Sequence, residues 1–414
     1  MAILAVNAGS STLKFSVHPI VAGQVQPKTL TGSIEGLEPG GSPQLVWMFE
    51  GREQRRTLLP TGKDSFQQAL ESLRDLLASQ SSLPPLKAVV HRVVHGGQLF
   101  RDSVIVTDSV MEQLAQLNSR APLHQPNNLE GIRAFGCAFP DLLQVACFDT
   151  AFHASLSEVD YAFALPETMT NQGVRRYGFH GLSYQYIIGA LQAHTELAKG
   201  RVLMAHLGNG ASLCATREGR SCATTMGFSA LDGLIMGTRC GSLDAGVLLY
   251  LLEQGWDHDR LQNLLYKQSG LLGVSGISAD MRRLRADGSA AAQRAIDLFT
   301  HRIVCESGAL VACLGGLDVI AFSGGIGEHD AVLREQVCNG LAFLGVQLNR
   351  ELNLQATGGN VQAIHADQSD VQVWVVPTDE GSVAARAAAE ILNGQGNEQK
   401  RERRQLKPIL EESN

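Results

Sequence analysis

The chain has 414 residues, enough for two or three domains with full cores at roughly 100 to 200 residues each, which excludes a disulfide-stapled mini-protein. Apolar residues make up 44% and charged residues 18%, which excludes a mostly disordered chain; 34 Lys plus Arg against 41 Asp plus Glu leave no basic stripe for nucleic acid. Glycine is the unusual component, 43 residues against 13 prolines, so where its turns fall is the feature to explain.

Apolar runs of strand length recur along the chain and stop abruptly at small or polar residues. Ala2 to Val6 ends at Asn7; Ala88 to Val90 and Val93 to Val94 lead to His95-Gly96-Gly97; Val145 to Phe148 ends at Asp149. Val202 to Ala205 ends at His206, Val319 to Phe322 at Ser323-Gly324-Gly325, and Val373 to Val376 at Pro377. Such near-continuous runs suit strands buried on both faces. Phe66, Leu70, Leu73 and Leu77, behind the caps Asp64 and Ser65, have helical spacing. An alanine-rich helix is expected from Glu380 to Asn393-Gly394, followed by a charged, mobile tail. Gly36, Gly40 and Gly41 around Pro39 match no motif and read as an ordinary mobile loop. Strands alternating with helices give an α/β class, with ligands expected at the carboxyl ends of the strands.

The eight cysteines include no C-x-x-C pair and several sit in apolar runs, which suits small buried hydrophobes. Paired-cysteine and H-E-x-x-H spacings are absent, so zinc is not indicated, whereas magnesium on oxygen ligands and substrate phosphates is easily housed. No apolar stretch approaches the 18 or so residues that span a bilayer and no charged leader follows Met1, so a soluble cytoplasmic protein without a membrane partner is expected.

Four clusters combine glycine with small polar residues: Asn7 to Thr12, His206 to Gly210, Gly237 to Gly241 and Ser323 to Glu328. Backbone N–H groups without side chains in the way can cradle phosphate oxygens. Each alone is a turn, but three follow buried-type strands, and together they favour a nucleotide cleft. Neither a Walker A sequence nor the protein-kinase H-R-D-L set occurs. The segments AILAVNAGSSTLKFSV and VLMAHLGNGASLCATREG share a strand–turn–strand form, which hints at two duplicated lobes.

Among charged residues, Arg92 stands between two pairs of valines, where a guanidinium needs an anion such as a carboxylate or phosphate. Arg239, in a glycine-flanked loop, is a second of this type. Lys14 suits a solvated surface lysine unless its hairpin turns back over the site; His124 and His180 lie in turn-rich sequence rather than on apolar faces. Asp149 ends a strand. Glu380 reads as a helix-capping carboxylate or, opposite Asn7, as a magnesium ligand.

Together NAGSSTLKF, HRVVHGG, APLH, FDTAFH, GVRRYGFHG, AHLGNGAS, MGTRCGSLD, SGGIGEH and PTDEG, in this order, resemble the acetate kinase family from Asn7 to Glu380. The resemblance implies two duplicated actin-like ATPase lobes of ribonuclease H-like βββαβα type around a nucleotide cleft. Residues 1–150 with 381–396 would form the N-terminal acyl and metal lobe, residues 151–380 the C-terminal nucleotide and dimerisation lobe, and residues 397–414 the charged tail. By the same resemblance Asn7 and Glu380 hold Mg²⁺, with Mn²⁺ as a substitute, and Asp149, His180 and Arg239 are catalytic. Arg92 would bind the substrate carboxylate, Val94, Leu123 and Ala230 its methyl group, and His124 another substrate position. ATP would meet Ser10, Thr12 and Lys14; His206, Leu207, Gly208, Asn209 and Gly210; Asp280, Met281 and Arg282; and Gly324, Gly325, Ile326, Gly327 and Glu328. The implied reaction is reversible phosphoryl transfer between ATP and acetate, giving acetyl phosphate and ADP, by a homodimer.

That chemistry is mainly positioning and charge compensation, suited to Arg92, Arg239, His180 and Mg²⁺. A carboxylate is already ionised at neutral pH, so Asp149 is expected to orient rather than to abstract a proton. The chain departs from the family where Ala230 replaces a usual proline and His329 a usual asparagine. The first suggests room for propionate or butyrate; the second alters the surroundings of the nucleotide base. A polyphosphate-hydrolysing phosphatase or an ATP-driven scaffold on the same fold are the readings from other classes.

Overall fold

The computed structural model describes residues 1–9, 11–38, 40–58 and 65–394; Ser10 and the tail expected at 397–414 lie outside the described residues. Contacts divide the chain into two units, one of Met1–Ala151 with the segment from Asp379, the other of Phe152–Thr378.

In the first unit, β1 (Ala2–Ala8), β2 (Thr12–Val21), β3 (Gln24–Val25), β4 (Leu30–Glu35), β5 (Gln44–Phe49), β6 (Arg52–Thr57), β7 (Leu86–Val93), β8 (Val104–Ile105) and β9 (Leu143–Phe148) form one sheet. Their order is β6-β5-β4-β2-β1-β7-β9-β8, with β3 beside β2. β1 and β7 are the buried central runs expected from sequence. The meander β4 to β6 is less apolar: β6, REQRRT, is exposed throughout, a charged edge that discourages pairing with another chain.

Helix Ser65–Ser79 covers one face with Leu70, Leu73 and Leu76 buried, against Leu4, Val6, Leu13, Phe15 and Leu45. Helix Gln125–Ala138 buries Leu129 and Ile132 in a second cluster with Val93 and Phe148. Asp379 caps the helix at 380–394, its Oδ1 accepting from the Ser382 N–H at 3.1 Å, which leaves Glu380 free of that duty. Gly36 has φ +75°, and a Cβ there would lie 2.6 Å from the Ser42 carbonyl oxygen. The loop expected to be ordinary is thus a backbone-on-backbone turn that requires glycine.

In the second unit the sheet order is β12-β11-β10-β13-β15-β14, from β10 (Arg201–Leu207), β11 (Ala211–Arg217), β12 (Arg220–Thr224), β13 (Val319–Ser323), β14 (Gln362–Ala363) and β15 (Gln372–Val375). β10 pairs antiparallel with β11 and parallel with β13, as β1 does with β2 and β7. β15 extends the parallel side as β9 does. The strand order β4-β2-β1-β7-β9 therefore recurs as β12-β11-β10-β13-β15, and the duplication suggested by two short segments extends to five strands.

The eight cysteines fall into three groups, of which Cys222 and Cys240 are half-buried. Burial pushes the thiols of Cys147, Cys214 and Cys338 up to about 12, as expected of core residues, whereas Cys137, Cys305 and Cys313 are exposed. Among the described residues no helix is long and apolar enough to cross a membrane.

Candidate active site

The first unit gathers its charged candidates at the ends of β1, β7 and β9. Arg92, on β7, donates from Nε to Asp149 Oδ1 at 2.9 Å and from Nη2 to Oδ2 at 2.7 Å. Its Nη1 lies 2.8 Å from Glu380 Oε2. Burial opposes the guanidinium charge, but the two carboxylates outweigh it and hold the group well above its usual range. Arg92, expected from the resemblance to bind the substrate carboxylate, makes this two-point fork with Asp149. Two of the five N–H donors are bonded to the Asp149 carboxylate, and Nη1 forms the ion pair with Glu380.

Asn7 pairs directly with Lys14 across β1 and β2, and the Lys14 side chain is exposed. Thr12 starts β2 at the same turn. Val94 follows β7, and its N–H donates to Asn128 Oδ1 at 3.0 Å while Asn128 Nδ2 donates to the Ala8 carbonyl at 2.8 Å. Asn128 therefore ties the ends of β1 and β7 together, a part missed from sequence because an asparagine inside an amphipathic helix gives no signal. Leu123 and His124 precede helix Gln125–Ala138, with His124 at its N-cap and both half-buried.

In the second unit His180 is the N-cap of helix Gly181–Gln192 at φ +59°, a left-handed conformation that non-glycine residues adopt at a cost. Its ring stacks on that of His206, centroids 4.3 Å apart. Its Nδ1 is 2.8 Å from Ser212 Oγ, which also meets the Tyr184 hydroxyl at 2.5 Å. His206 Nδ1 is 2.8 Å from Ser183 Oγ, and Ser183 donates to Thr378 Oγ1 at 2.9 Å. Arg239 Nη1 donates to the Ala230 carbonyl at 2.6 Å, and burial draws its guanidinium below the usual value.

A Cβ at Gly210 would lie 3.1 Å from Arg239 Nη2 and 3.3 Å from His180 Nε2. The glycine thus leaves a space onto which a cationic and an imidazole nitrogen converge, as a site for phosphoryl oxygens requires. Ser183, Tyr184 and Ser212 escaped sequence reasoning because isolated hydroxyls carry no spacing pattern.

A cavity of about 1150 Å³ is lined by Gly208, Asn209, Asp280, Met281, Arg282, Gly325 and Ile326, seven of the expected nucleotide residues. Arg285, His329 and Asp330 also line it, with Arg285 Nε bonded to Asp330 Oδ2 at 3.1 Å. Arg282 forks onto Asp280, whose carboxyl that bond draws down to about 2. Gly324 has φ +75°, and a Cβ there would meet the Leu207 carbonyl at 2.7 Å, so β10 and the glycine turn approach only because the side chain is missing.

His206, Leu207, Gly210, Gly324, Gly327 and Glu328 support this cavity rather than line it. Glu328 Oε1 accepts from the N–H groups of Gly324 at 2.9 Å and Thr378 at 3.2 Å. Arg334, fully buried, gives two hydrogen bonds to the carbonyls of Gly327 and Glu328 and three to Asn353 and Ala356. Burial draws its guanidinium down to about 10. A charged residue between the buried Leu333 and Val337 was the available signal for it.

The sequence model of the acetokinase family matches residues 2–386. The chain belongs to the acetokinase family. It is 48% identical over 397 residues to an acetate kinase of Rhodopseudomonas palustris strain TIE-1, covering 95% of this chain and 98% of that protein. An acetate kinase of Methylocella silvestris is 45% identical, at 94% and 98% coverage. Among solved structures, Porphyromonas gingivalis acetate kinase superposes with a TM-score of 0.82 at 34% identity, covering 94% of this chain and 99% of that one. A propionate kinase from Francisella tularensis gives 0.84 at 35% identity, with 93% and 98% covered. Membership of this family accounts for the repeated strand order, which is that of two duplicated actin-like ATPase lobes.

Proposed function

We infer that this chain catalyses reversible transfer of the γ-phosphoryl group of ATP to acetate, giving acetyl phosphate and ADP. The family match over residues 2–386 supports this, and the observation that carries the chemistry is the convergence of Arg239 and His180 beside Gly210. In direct in-line transfer a carboxylate oxygen bonds to the γ-phosphorus as the bond to the β,γ-bridging oxygen breaks, and ADP leaves with the electron pair. No proton need move. Arg239 and His180 offset charge on the equatorial oxygens, while Arg92 offers its remaining donors to the acyl carboxylate and keeps Asp149 and Glu380 in place.

Magnesium fits the donors at hand. The Asn7 amide and Glu380 carboxylate supply hard oxygens, the type this ion takes together with substrate phosphates. When bound it would neutralise phosphate charge and orient the γ-phosphoryl group. We assign the acyl and metal side to the first unit, the nucleotide side to the second, and the chain to the cytoplasm. Helix Ala245–Glu253 has no buried residue and exposes Leu249 at 62% and Tyr250 at 58%, which supports a second copy of the chain as its cover. Sedimentation of the purified chain as a monomer would remove that assignment.

The activity test is acyl hydroxamate formation from ATP, Mg²⁺ and acetate, propionate or butyrate. Hydroxamate with acetate is expected. ATP consumption without any acyl phosphate would overturn the kinase reading in favour of a hydrolase or an ATP-driven scaffold.

A further inference from the structure

The hydroxyls behind His180 form an ordered chain with a direction. Tyr184, on helix Gly181–Gln192, is fully buried, and burial holds its phenol protonated. The buried O–H needs an acceptor of its own, and Ser212 Oγ lies 2.5 Å away. With Tyr184 as donor, the hydrogen of Ser212, also fully buried, is directed to His180 Nδ1 at 2.8 Å. A nitrogen that accepts a hydrogen bond carries no proton, so the ring proton resides on Nε2. An imidazolium would place two hydrogens on the line between Nδ1 and Oγ.

The stacked ring has the opposite arrangement. Ser183 gives its hydrogen to Thr378 Oγ1, so at His206 it accepts, and Nδ1 of His206 carries the proton.

We propose that Tyr184 and Ser212 are positioning residues that fix His180 as the neutral Nε2–H tautomer, presenting one N–H donor beside Arg239 to the phosphoryl group in transfer. This rests on the reading of His180 as a phosphoryl contact. Its chemical content is a division of labour: Arg239 supplies charge, and His180 supplies a directed neutral hydrogen bond whose orientation is set before substrate arrives.

The test is a long-range ¹H–¹⁵N spectrum of the full chain labelled with ¹⁵N-histidine, the His180 signals being identified by their loss in His180→Gln. The expected result is a pyridine-type Nδ1 and pyrrole-type Nε2 for His180, with His206 showing the reverse. In Tyr184→Phe and Ser212→Ala the His180 Nδ1 signal should move toward the pyrrole type and kcat should fall by roughly 10-fold or more, with KM values changing less than about twofold. A protonated His180 Nδ1 in the wild-type spectrum overturns the proposal, and that spectrum decides the tautomer even where a variant fails to fold. Wild-type His180 signals in both variants overturn the relay as its cause. Full activity of His180→Gln overturns the phosphoryl-contact reading instead, a result separate from the tautomer.

Discussion

Arg92 and Asp149 meet as a two-point fork, Nε to Oδ1 at 2.9 Å and Nη2 to Oδ2 at 2.7 Å, around a carboxylate only 1% exposed. Removing one member of a buried pair costs more than the pair contributes, because the survivor remains desolvated and unmatched. Arg92→Ala is therefore expected to destabilise the chain by roughly 3 to 5 kcal/mol, and Arg92→Ala/Asp149→Ala by less than the sum of the two single changes. Urea unfolding of the four proteins checks this. Strict additivity would mean that the fork is energetically idle.

Asp149→Asn keeps the shape of that fork while removing its charge. Since the acyl carboxylate is ionised at neutral pH, loss of a proton acceptor should not alter the pH dependence of kcat. The variant should lose activity, on the order of 10- to 100-fold through misplacement of Arg92, with a pH profile parallel to the wild type between pH 6 and 9. Disappearance of a limb of the profile, with metal and acetate affinities intact, would instead show proton transfer.

Gly210→Ala probes the second unit. The residue's φ is not in the left-handed region, so the backbone accepts alanine, but the methyl would stand 3.1 Å from Arg239 Nη2 and 3.3 Å from His180 Nε2. Displacing reacting groups by about 1 Å costs on the order of 100-fold in rate. A drop of that size in kcat is expected with thermal stability nearly unchanged; unaltered kcat would place the transferred group elsewhere.

The difference between what the sequence revealed and what it did not is physical. Asn7, Asp149, His206 and Ser323 stand where apolar runs stop, and strand ends are visible in one dimension because burial imposes the run. The partner of Arg92 was not visible: a guanidinium announces its need for an anion, but Asp149 and Glu380 lie 57 and 288 residues away. The distances in sequence follow from their numbers, and only the pairing of β7 with β9 and the cap at Asp379 bring all three together. Arg334 and the hydroxyls of Ser183, Tyr184 and Ser212 act through contacts fixed by tertiary packing. In the meander β4 to β6, which was missed, β4 and β6 lack continuous apolar runs, whereas β5, QLVWMF, carries one that was legible.

Ala230 bears on substrate choice. Its carbonyl is held by Arg239, so the size of its side chain is set against a fixed backbone. One methylene in an apolar pocket changes selectivity by roughly 10- to 200-fold, and we expect kcat/KM for propionate within about 200-fold of that for acetate. A larger preference, measured by hydroxamate formation, would show that the side chain at position 230 does not set the size of the acyl group accepted.

His91 is buried on β7, with Nε2 2.7 Å from Gln144 Oε1 and its ring edge-on to Phe135. Burial draws its pKa from 6.5 down to about 4, so the folded chain holds it neutral. A depressed histidine contributes stability that is complete above the unfolded value and is lost as pH falls from 6.5 toward 4, because only the unfolded state then takes up the proton. Between pH 7 and pH 5 this single group should remove about 2 kcal/mol of unfolding free energy. His95, drawn down to about 3 by burial with a smaller contribution from Arg120, acts with the same sign over a window that extends lower. In His91→Gln the unfolding free energy should start lower at pH 7 and fall less steeply to pH 5, by about the share assigned to His91. An identical slope in the variant would mean that His91 titrates alike in the folded and unfolded chains, in conflict with its burial against Phe135.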